Sequence, residues 1–342
     1  MQFFQPILHA PPDEATLEGR TVIITGATSG IGLETARQLC QRRASTVILG
    51  VRNVPKGEAV KAQLLADPAI QRLEAAPAIA VVELDTADYA SVRGFATAVQ
   101  SVAPRLDLLV LNAGIGPVAF ERSPATGHER TIQVNYLSNV LLLLCLLPLL
   151  RATARAAGAP TRVTWAGSRA HRSSLPSLIA RAPLAEPLLQ YLDDEQRYSG
   201  FARYPDSKLL AAMFVHELAE RMGVAEGQVV VNMFCPGMVD TAITDVLPWY
   251  VRMLVAAAQA VRGRSAEQGG WVAVNAAVVV GDESHGRFLL DMDCVENCDF
   301  LKTESGAQMQ KAVWEETMAE VSKYVDIPQF TGILKHQNQL SS

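Results

Sequence analysis

Residues 21–40 read TVIITGATSGIGLETARQLC. Five β-branched residues run into Gly26-Ala27-Thr28-Ser29-Gly30-Ile31-Gly32, and apolar residues then recur at helical spacing. A strand, a glycine-rich loop and a helix follow one another without a break. Glycines let the chain turn tightly and let its backbone approach a pyrophosphate. The helix start beyond them offers free N–H groups and partial positive charge. Glycines alone mark many ordinary turns. Strand, loop and helix in this order are the context a dinucleotide site requires.

Six further apolar runs extend the pattern: STVILGV (45–51), AIAVVEL (78–84), LDLLVLNAG (106–114), TRVTWAG (161–167), QVVVNMFCPG (228–237) and RFLLD (287–291). Most are continuous rather than alternating, as expected of strands buried on both faces of a parallel sheet. Helical segments such as 33–43 and 91–102 lie between them, which implies βαβ units. The reading is an α/β, doubly wound Rossmann fold with about seven parallel strands and helices on both faces. It spans residues 19–291, preceded by an arm (1–18) and followed by a helical extension (292–342) with a helix over 307–325. Strand starts are separated by 24, 33, 28, 55, 67 and 59 residues. Long connections carry function more often than stability, so substrate recognition is expected in the second half.

The 342 residues carry 35 acids against 30 Lys and Arg, a net charge of −5, with 49% hydrophobic and 19% charged residues. The apolar content excludes a disordered chain, and the mild acidity argues against a nucleic-acid partner. Cys40, Cys145, Cys235, Cys294 and Cys298 form no framework and no zinc spacing, so no metal is expected. The first residues lack a basic start and a long apolar core, unlike a secretory signal. Together these features point to a cytoplasmic location. The uninterrupted apolar run Val140–Leu150 has 11 residues, too short for a span of about 20, and reads as a buried helix. The segment 246–261 is broken by Pro248 and Arg252 and reads as an amphipathic lid or interfacial helix.

The loop spacing is Gly-x-x-x-Gly-x-Gly. With Asn112-Ala113-Gly114, Asn135, Ser168, Tyr204-Pro205-Asp206-Ser207-Lys208 and Pro236-Gly237 with Thr241, in that order, the sequence resembles the short-chain dehydrogenase/reductase family over residues 19–291. The resemblance implies a cofactor held by Gly26, Thr28, Ser29, Gly30, Ile31, Gly32, Asn112, Ala113, Gly114, Tyr204, Lys208, Pro236, Gly237, Val239 and Thr241. Asp85 and Thr86 are similar to the family's adenine-contacting pair. An acidic residue near the end of the second strand would bind the ribose hydroxyls of NAD. Here Val51 is followed by Arg52 and Asn53, and a guanidinium pairs with a 2′-phosphate. NADP(H) is therefore expected over NAD(H).

Tyr204 and Lys208 are four apart and share a helix face. Lowering a tyrosine from about 10 to about 7 takes roughly 4 kcal/mol, which a neighbouring ammonium and an oxidised nicotinamide are expected to supply. Tyr204 would exchange a proton with a carbonyl oxygen as hydride reaches its carbon. Ser168, at a strand end, would donate to that oxygen. The resemblance gives Asn135 a water-binding place in a proton relay to Lys208. His171 follows Ser168 by three residues, where a substrate contact and an ordinary loop histidine are both open. The family commonly has Ser-Ser where this chain has Gly167-Ser168.

Ser168 and Tyr204 are 36 residues apart, against about a dozen in the family's minimal form. The insert 169–203 and the lid 242–265 are expected to wall a pocket for a lipophilic small molecule. The expected activity is hydride transfer between NADP(H) and a carbonyl or alcohol. The sequence resembles retinol-dehydrogenase-like and fungal secondary-metabolism branches, which points to polyketide or terpenoid-like ketones. A non-catalytic dinucleotide-sensing or partner-binding protein and a membrane-associated retinoid- or steroid-type dehydrogenase are the alternatives. A homodimer is open, because the resemblance places dimer faces on the helices near Asn135 and Tyr204.

Overall fold

Seven short runs of mostly branched apolar residues form the parallel strands of one sheet. They are β1 (Thr21–Thr25), β2 (Thr46–Val51), β3 (Ala78–Glu83), β4 (Leu108–Leu111), β5 (Thr161–Ala166), β6 (Val229–Cys235) and β7 (Phe288–Leu290). The computed structural model describes residues 5–116, 119–172, 179, 182, 185–222, 229–239, 263–296 and 298–330. Strand order is β3-β2-β1-β4-β5-β6-β7, with β8 (Asp293–Val295) added antiparallel at the β7 edge. The eighth strand escaped the sequence pattern because Asp293-Cys294-Val295 holds no apolar run. From β1 the chain winds outward through β2 to β3, then returns to place β4 on the other side of β1. Ligand crevices open at such a reversal, beyond the carboxyl ends of the strands.

Helices cover both faces, as the continuous apolar strands require. The labelled helices are α1 (Gly30–Gln41), α2 (Val54–Leu65), α3 (Tyr89–Val102), α4 (Arg130–Ala157), α5 (Gly200–Met222), α6 (Ala266–Val274) and α7 (Glu304–Val321). Residues of α1, α2 and α6 share one core with β1 and β2. Those of α3, α4, α5 and α7 share the larger core on the opposite face. Helix α4 is long and apolar enough to cross a membrane, yet 72% of its apolar window is buried within the fold. Val140 through Leu144, with Leu146, Leu147 and Leu150, are fully covered. The apolar segment 246–261 lies outside the described residues.

The C-terminal helix α7 continues the larger core rather than trailing from it. Trp314 stacks on Phe214 of α5 with ring centroids 5.3 Å apart, and the Arg221 guanidinium covers its other side at 4.7 Å. Tyr136 of α4 shares a 2.7 Å hydrogen bond with Thr317. The Glu316 carboxylate accepts the N–H groups of Leu188 and Leu189 at 2.7 and 2.9 Å. It thereby supplies from outside the anionic cap for the short helix Leu188–Leu192, whose own flanking residue, Pro187, has no capping side chain. The insert between Ser168 and Tyr204 is thus moored to the end of the chain.

A second mooring is ionic. His128 Nδ1 meets Asp193 of the insert at 2.7 Å and its Nε2 meets Glu320 of α7 at 3.3 Å. Burial lowers the imidazole pKa, but hydrogen bonds to Asp193 and then Glu320 outweigh it and raise the group to about 9. Lys323 holds Glu320 from the far side, and with His128 keeps that carboxyl down at about 2. A folded-state pKa above that of a free imidazole contributes stability that is complete below about pH 6.5 and is lost as pH rises through about 9. His128→Gln is therefore expected to lower stability by on the order of 2–4 kcal/mol at pH 6. Urea titrations of both proteins across pH should show the difference shrinking from about pH 6.5 and gone above about pH 9. A difference that stays constant would remove the clamp.

Candidate active site

The loop after β1 is shaped by contacts to the end of β4. Thr25 Oγ1 accepts the backbone N–H groups of Asn112 and Ala113, each at 2.9 Å. In return Asn112 Nδ2 donates to the carbonyls of Thr25 at 2.9 Å and Gly26 at 3.3 Å. Gly26 has φ +68°, a region open chiefly to glycine. A Cβ on Gly32 would stand 2.4 Å from both Asn112 Nδ2 and the Gly26 carbonyl oxygen. The helix start is consequently drawn against the Gly26 backbone and the Asn112 amide with no room for a side chain. Ser29 occupies the N-cap of α1 yet makes no side-chain cap, so the first N–H groups face the crevice without a side-chain acceptor. Close backbone, free donors and a helix N-terminus fit a dinucleotide pyrophosphate. Thr28 and Ile31 lie in the same loop and first turn, both half-buried.

At the adenine side of that loop, Arg52 is exposed just past β2 and forms no ion pair among the described residues. Asn53 Oδ1 is spent on capping α2, accepting Lys56 N–H at 2.8 Å. Asp85 closes the turn after β3 by accepting Ala87 N–H at 2.9 Å, and the Thr86 carbonyl accepts Ser138 Oγ at 2.6 Å.

The remaining candidates converge beyond β5 and β6. Asn135 sits in a π-helical turn (Gln133–Leu137) within α4 and is fully buried. Its Oδ1 accepts Ile115 N–H at 2.8 Å, and its Nδ2 donates to the Ile115 carbonyl at 2.9 Å and to Ser207 Oγ at 3.0 Å. It fastens the loop carrying Gly114 to helix α5. Tyr204 and Lys208 stand on α5. Ser168 lies beside the Tyr204 phenol and acts to lower it. Lys208 Nζ donates to the Ala166 carbonyl at 2.8 Å and lies 5.5 Å from the centroid of the Tyr204 ring.

The sequence reading expects Tyr204 to be lowered by Lys208 together with an oxidised nicotinamide. In the protein alone burial dominates and, with Cys235, pushes it up to about 12, against a smaller opposing effect of Ser168. The ammonium faces a backbone carbonyl and the tyrosine ring. Burial also brings Lys208 down to about 8, partly offset by Cys235. At neutral pH the site therefore presents a neutral phenol beside a charged lysine.

Gly167 replaces the family's first serine because the place is full. A Cβ there would stand 2.9 Å from Phe288 Cε2 and 3.1 Å from Met233 Cε. Two residues the motifs passed over hold the Ser168 turn. Cys235 Sγ accepts Arg169 N–H at 3.2 Å, and His171 Nδ1 meets the Ser168 carbonyl at 2.5 Å. Burial takes His171 down to about 4, so it is neutral, and its ring packs edge-on against Phe288. The signal for both was spacing from a strand end, which alone identifies neither. Pro236 and Gly237 follow β6, Gly237 with φ +84°, and Val239 bridges to Arg264. Thr241 and nearly all of the 242–265 lid, residues 242–262, lie outside the described residues.

The chain belongs to the short-chain dehydrogenase/reductase family, a class of NAD(P)-binding oxidoreductases. The short chain dehydrogenase family model matches residues 20–163. Among its fungal relatives, short chain dehydrogenase macD of Penicillium terrestre is 46% identical over 330 residues, covering 96% of this chain and 98% of its own. Short-chain dehydrogenase/reductase tropG of Talaromyces stipitatus is 44% identical, with the same 96% and 98% coverage. An uncharacterised protein of Mycobacterium paratuberculosis superposes with a TM-score of 0.65 at 27% identity, covering 94% of this chain and 100% of that one. RhlG of Pseudomonas aeruginosa, solved as an NADP active-site complex, has the same fold, with TM-score 0.62, 24% identity and coverage of 82% and 97%.

Gly32→Ala tests the close approach. Because the clash is with a backbone carbonyl and not a flexible side chain, we expect nicotinamide dinucleotide affinity to fall by about tenfold or more. Calorimetric titration measures it, and an unchanged dissociation constant would refute the geometry.

Proposed function

We propose that this protein is an NADP(H)-dependent reductase of a ketone on a lipophilic small molecule, within fungal secondary metabolism. The observation that carries the reading is the placement of Ser168 beside the Tyr204 phenol, with Lys208 one turn on and its ammonium fixed on Ala166. NADPH, when bound, supplies the hydride. The Gly26–Gly32 loop and the start of α1 hold its pyrophosphate, and the backbone of Asn112, Ala113 and Gly114 flanks the adenosine ribose. Asp85 and Thr86 border the adenine.

Tyr204 then acts as general acid. Its neutral hydroxyl gives a proton to the substrate oxygen as negative charge grows there, while Ser168 Oγ donates a second hydrogen bond to the same atom. A tyrosine raised by burial keeps its proton at neutral pH, which favours the reducing direction. Lys208 holds positive charge beside the departing proton, and Asn135 sets the distance between the β4 loop and α5.

Two exposed apolar side chains support a lipophilic substrate. Phe201 is 79% exposed on α5, one turn before Tyr204, and Met238 is 43% exposed beside Gly237. Solvent-facing side chains of this kind gain most by covering an apolar ligand.

Tyr204→Phe removes the proton donor and little volume. We expect kcat to fall by about 10³ or more with NADPH affinity within about twofold. Steady-state rates with a lipophilic ketone panel and fluorescence titration of NADPH provide the readout, and undiminished turnover refutes the acid assignment. Arg52→Asp puts a carboxylate where a 2′-phosphate would lie. It is expected to raise the NADPH Kd by at least about tenfold while leaving NADH within about threefold. Equal loss of both would place Arg52 away from the phosphate.

A further inference from the structure

We propose that Asp291 is a positioning residue for the nicotinamide half of the cofactor site, acting through Arg264 on the loop Pro236–Val239. The inference rests on the dinucleotide reading above.

Asp291 and Met292 form the two-residue turn between β7 and β8. Both are left-handed, with φ +56° and φ +80°. Such a turn matches the twist of adjoining strands, but asparagine or glycine normally fills it. A methionine there is strained, and strain of this kind persists only where surrounding contacts enforce it. The contacts are specific. The Asp291 carboxylate, 9% exposed, meets Arg264 Nη1 at 2.5 Å, and the Arg264 side chain is 4% exposed. The Met292 carbonyl accepts Asn275 Nδ2 at 3.0 Å.

Arg264 also bonds the loop and the N-terminal arm. Nη1 also reaches the Pro236 carbonyl at 3.2 Å, Nη2 reaches the Pro6 carbonyl at 3.1 Å, and the backbone N–H reaches the Met238 carbonyl at 2.8 Å. Gln5 of the arm pairs with Met238 twice. Its Oε1 accepts the backbone N–H at 2.8 Å and its Nε2 donates to the carbonyl at 3.3 Å. A Cβ on Gly237 would stand 2.1 Å from Gln5 Oε1 and 2.5 Å from Arg264 Nη1. The loop backbone is gripped by two separate parts of the chain, the arm and Arg264, and Asp291 holds the second. From the same carboxylate, Arg169 Nη2 lies 3.3 Å and 3.4 Å away, one residue beyond Ser168. One buried charge thus ties together the loops that follow β5 and β6.

Hydride must pass beside Ser168 and Tyr204, so the nicotinamide ring lies on the β5–β6 side of β1. Arg52 and the adenine half lie on the β2 side. The clamp therefore acts on one half of the cofactor only, and that asymmetry makes it testable apart from general stability.

Asp291→Asn keeps the shape and removes the charge that fixes Arg264. Two dissociation constants are measured on the full chain: that of NADPH, and that of adenosine 2′,5′-bisphosphate, which carries the adenine half alone. The expected result is an NADPH constant raised about tenfold with the bisphosphate constant within about twofold. Equal weakening of both overturns the inference, because it reports loss of structure, as does unchanged NADPH binding. Gln5→Ala, on the exposed arm, is the variant to use if Asp291→Asn does not fold. It should show the same selectivity with about a threefold loss for NADPH, and no selectivity overturns the clamp. A wild-type chain that binds neither ligand overturns the dinucleotide reading itself, and the inference with it.

Discussion

The reciprocal bonding between Thr25 and Asn112 is the constraint on which the rest of the site depends. One hydroxyl takes two backbone N–H groups from the β4 end, and one amide returns two bonds to the β1 end. The exchange brings the ends of adjacent parallel strands together where the sheet order reverses. It fixes Gly26 against Ala113 and leaves Gly32 no space beyond its hydrogen. From β4 the order passes to Asn135 through Ile115, and from Asn135 to Ser207 on the helix that carries Tyr204 and Lys208. The glycine loop and Tyr204, on opposite sides of β4, are thereby placed by one chain of buried polar bonds. Such a chain is favourable only while every member is satisfied.

Electrostatics in the site is governed by burial more than by pairing. Tyr204 rises and Lys208 falls, each because its charged form loses water. The lysine keeps most of its charge at neutral pH because Cys235 partly offsets the fall. The tyrosine faces a serine, which stabilises a phenolate only weakly. An environment that holds a phenol neutral suits donation of a proton, and it couples the proposed direction of reaction to desolvation.

Much of this was legible in the sequence. Continuous branched runs gave seven strands, because burial on both faces leaves no room for alternation. The glycine spacing and the Tyr-x-x-x-Lys pair are local, and local geometry carried them into place. What escaped is non-local or offset by a neighbour. β8 is three residues long and exists because a strained turn folds it onto β7. The tyrosine shift depends on how deeply α5 is covered, which no spacing encodes. Asn53 also caps α2, a role its place after the second strand does not announce. Asp291 and Arg264 are 27 residues apart, in segments without a motif, and only the sheet edge brings them together.

The mooring of the insert by α7 has a bearing on when the chain can finish folding. Leu188 meets Glu316 across 128 residues of sequence. Nascent chains fold from the amino end as they emerge, and contacts of such separation close late. Strands β1 to β5 can pair among themselves once β5 is synthesised, leaving only the β5 edge to await β6. One wall of the crevice has no anchor until α7, among the final residues, has left the ribosome. A chain truncated before that point would retain the phosphate loop and strands β1 to β5 and yet present an unfinished crevice.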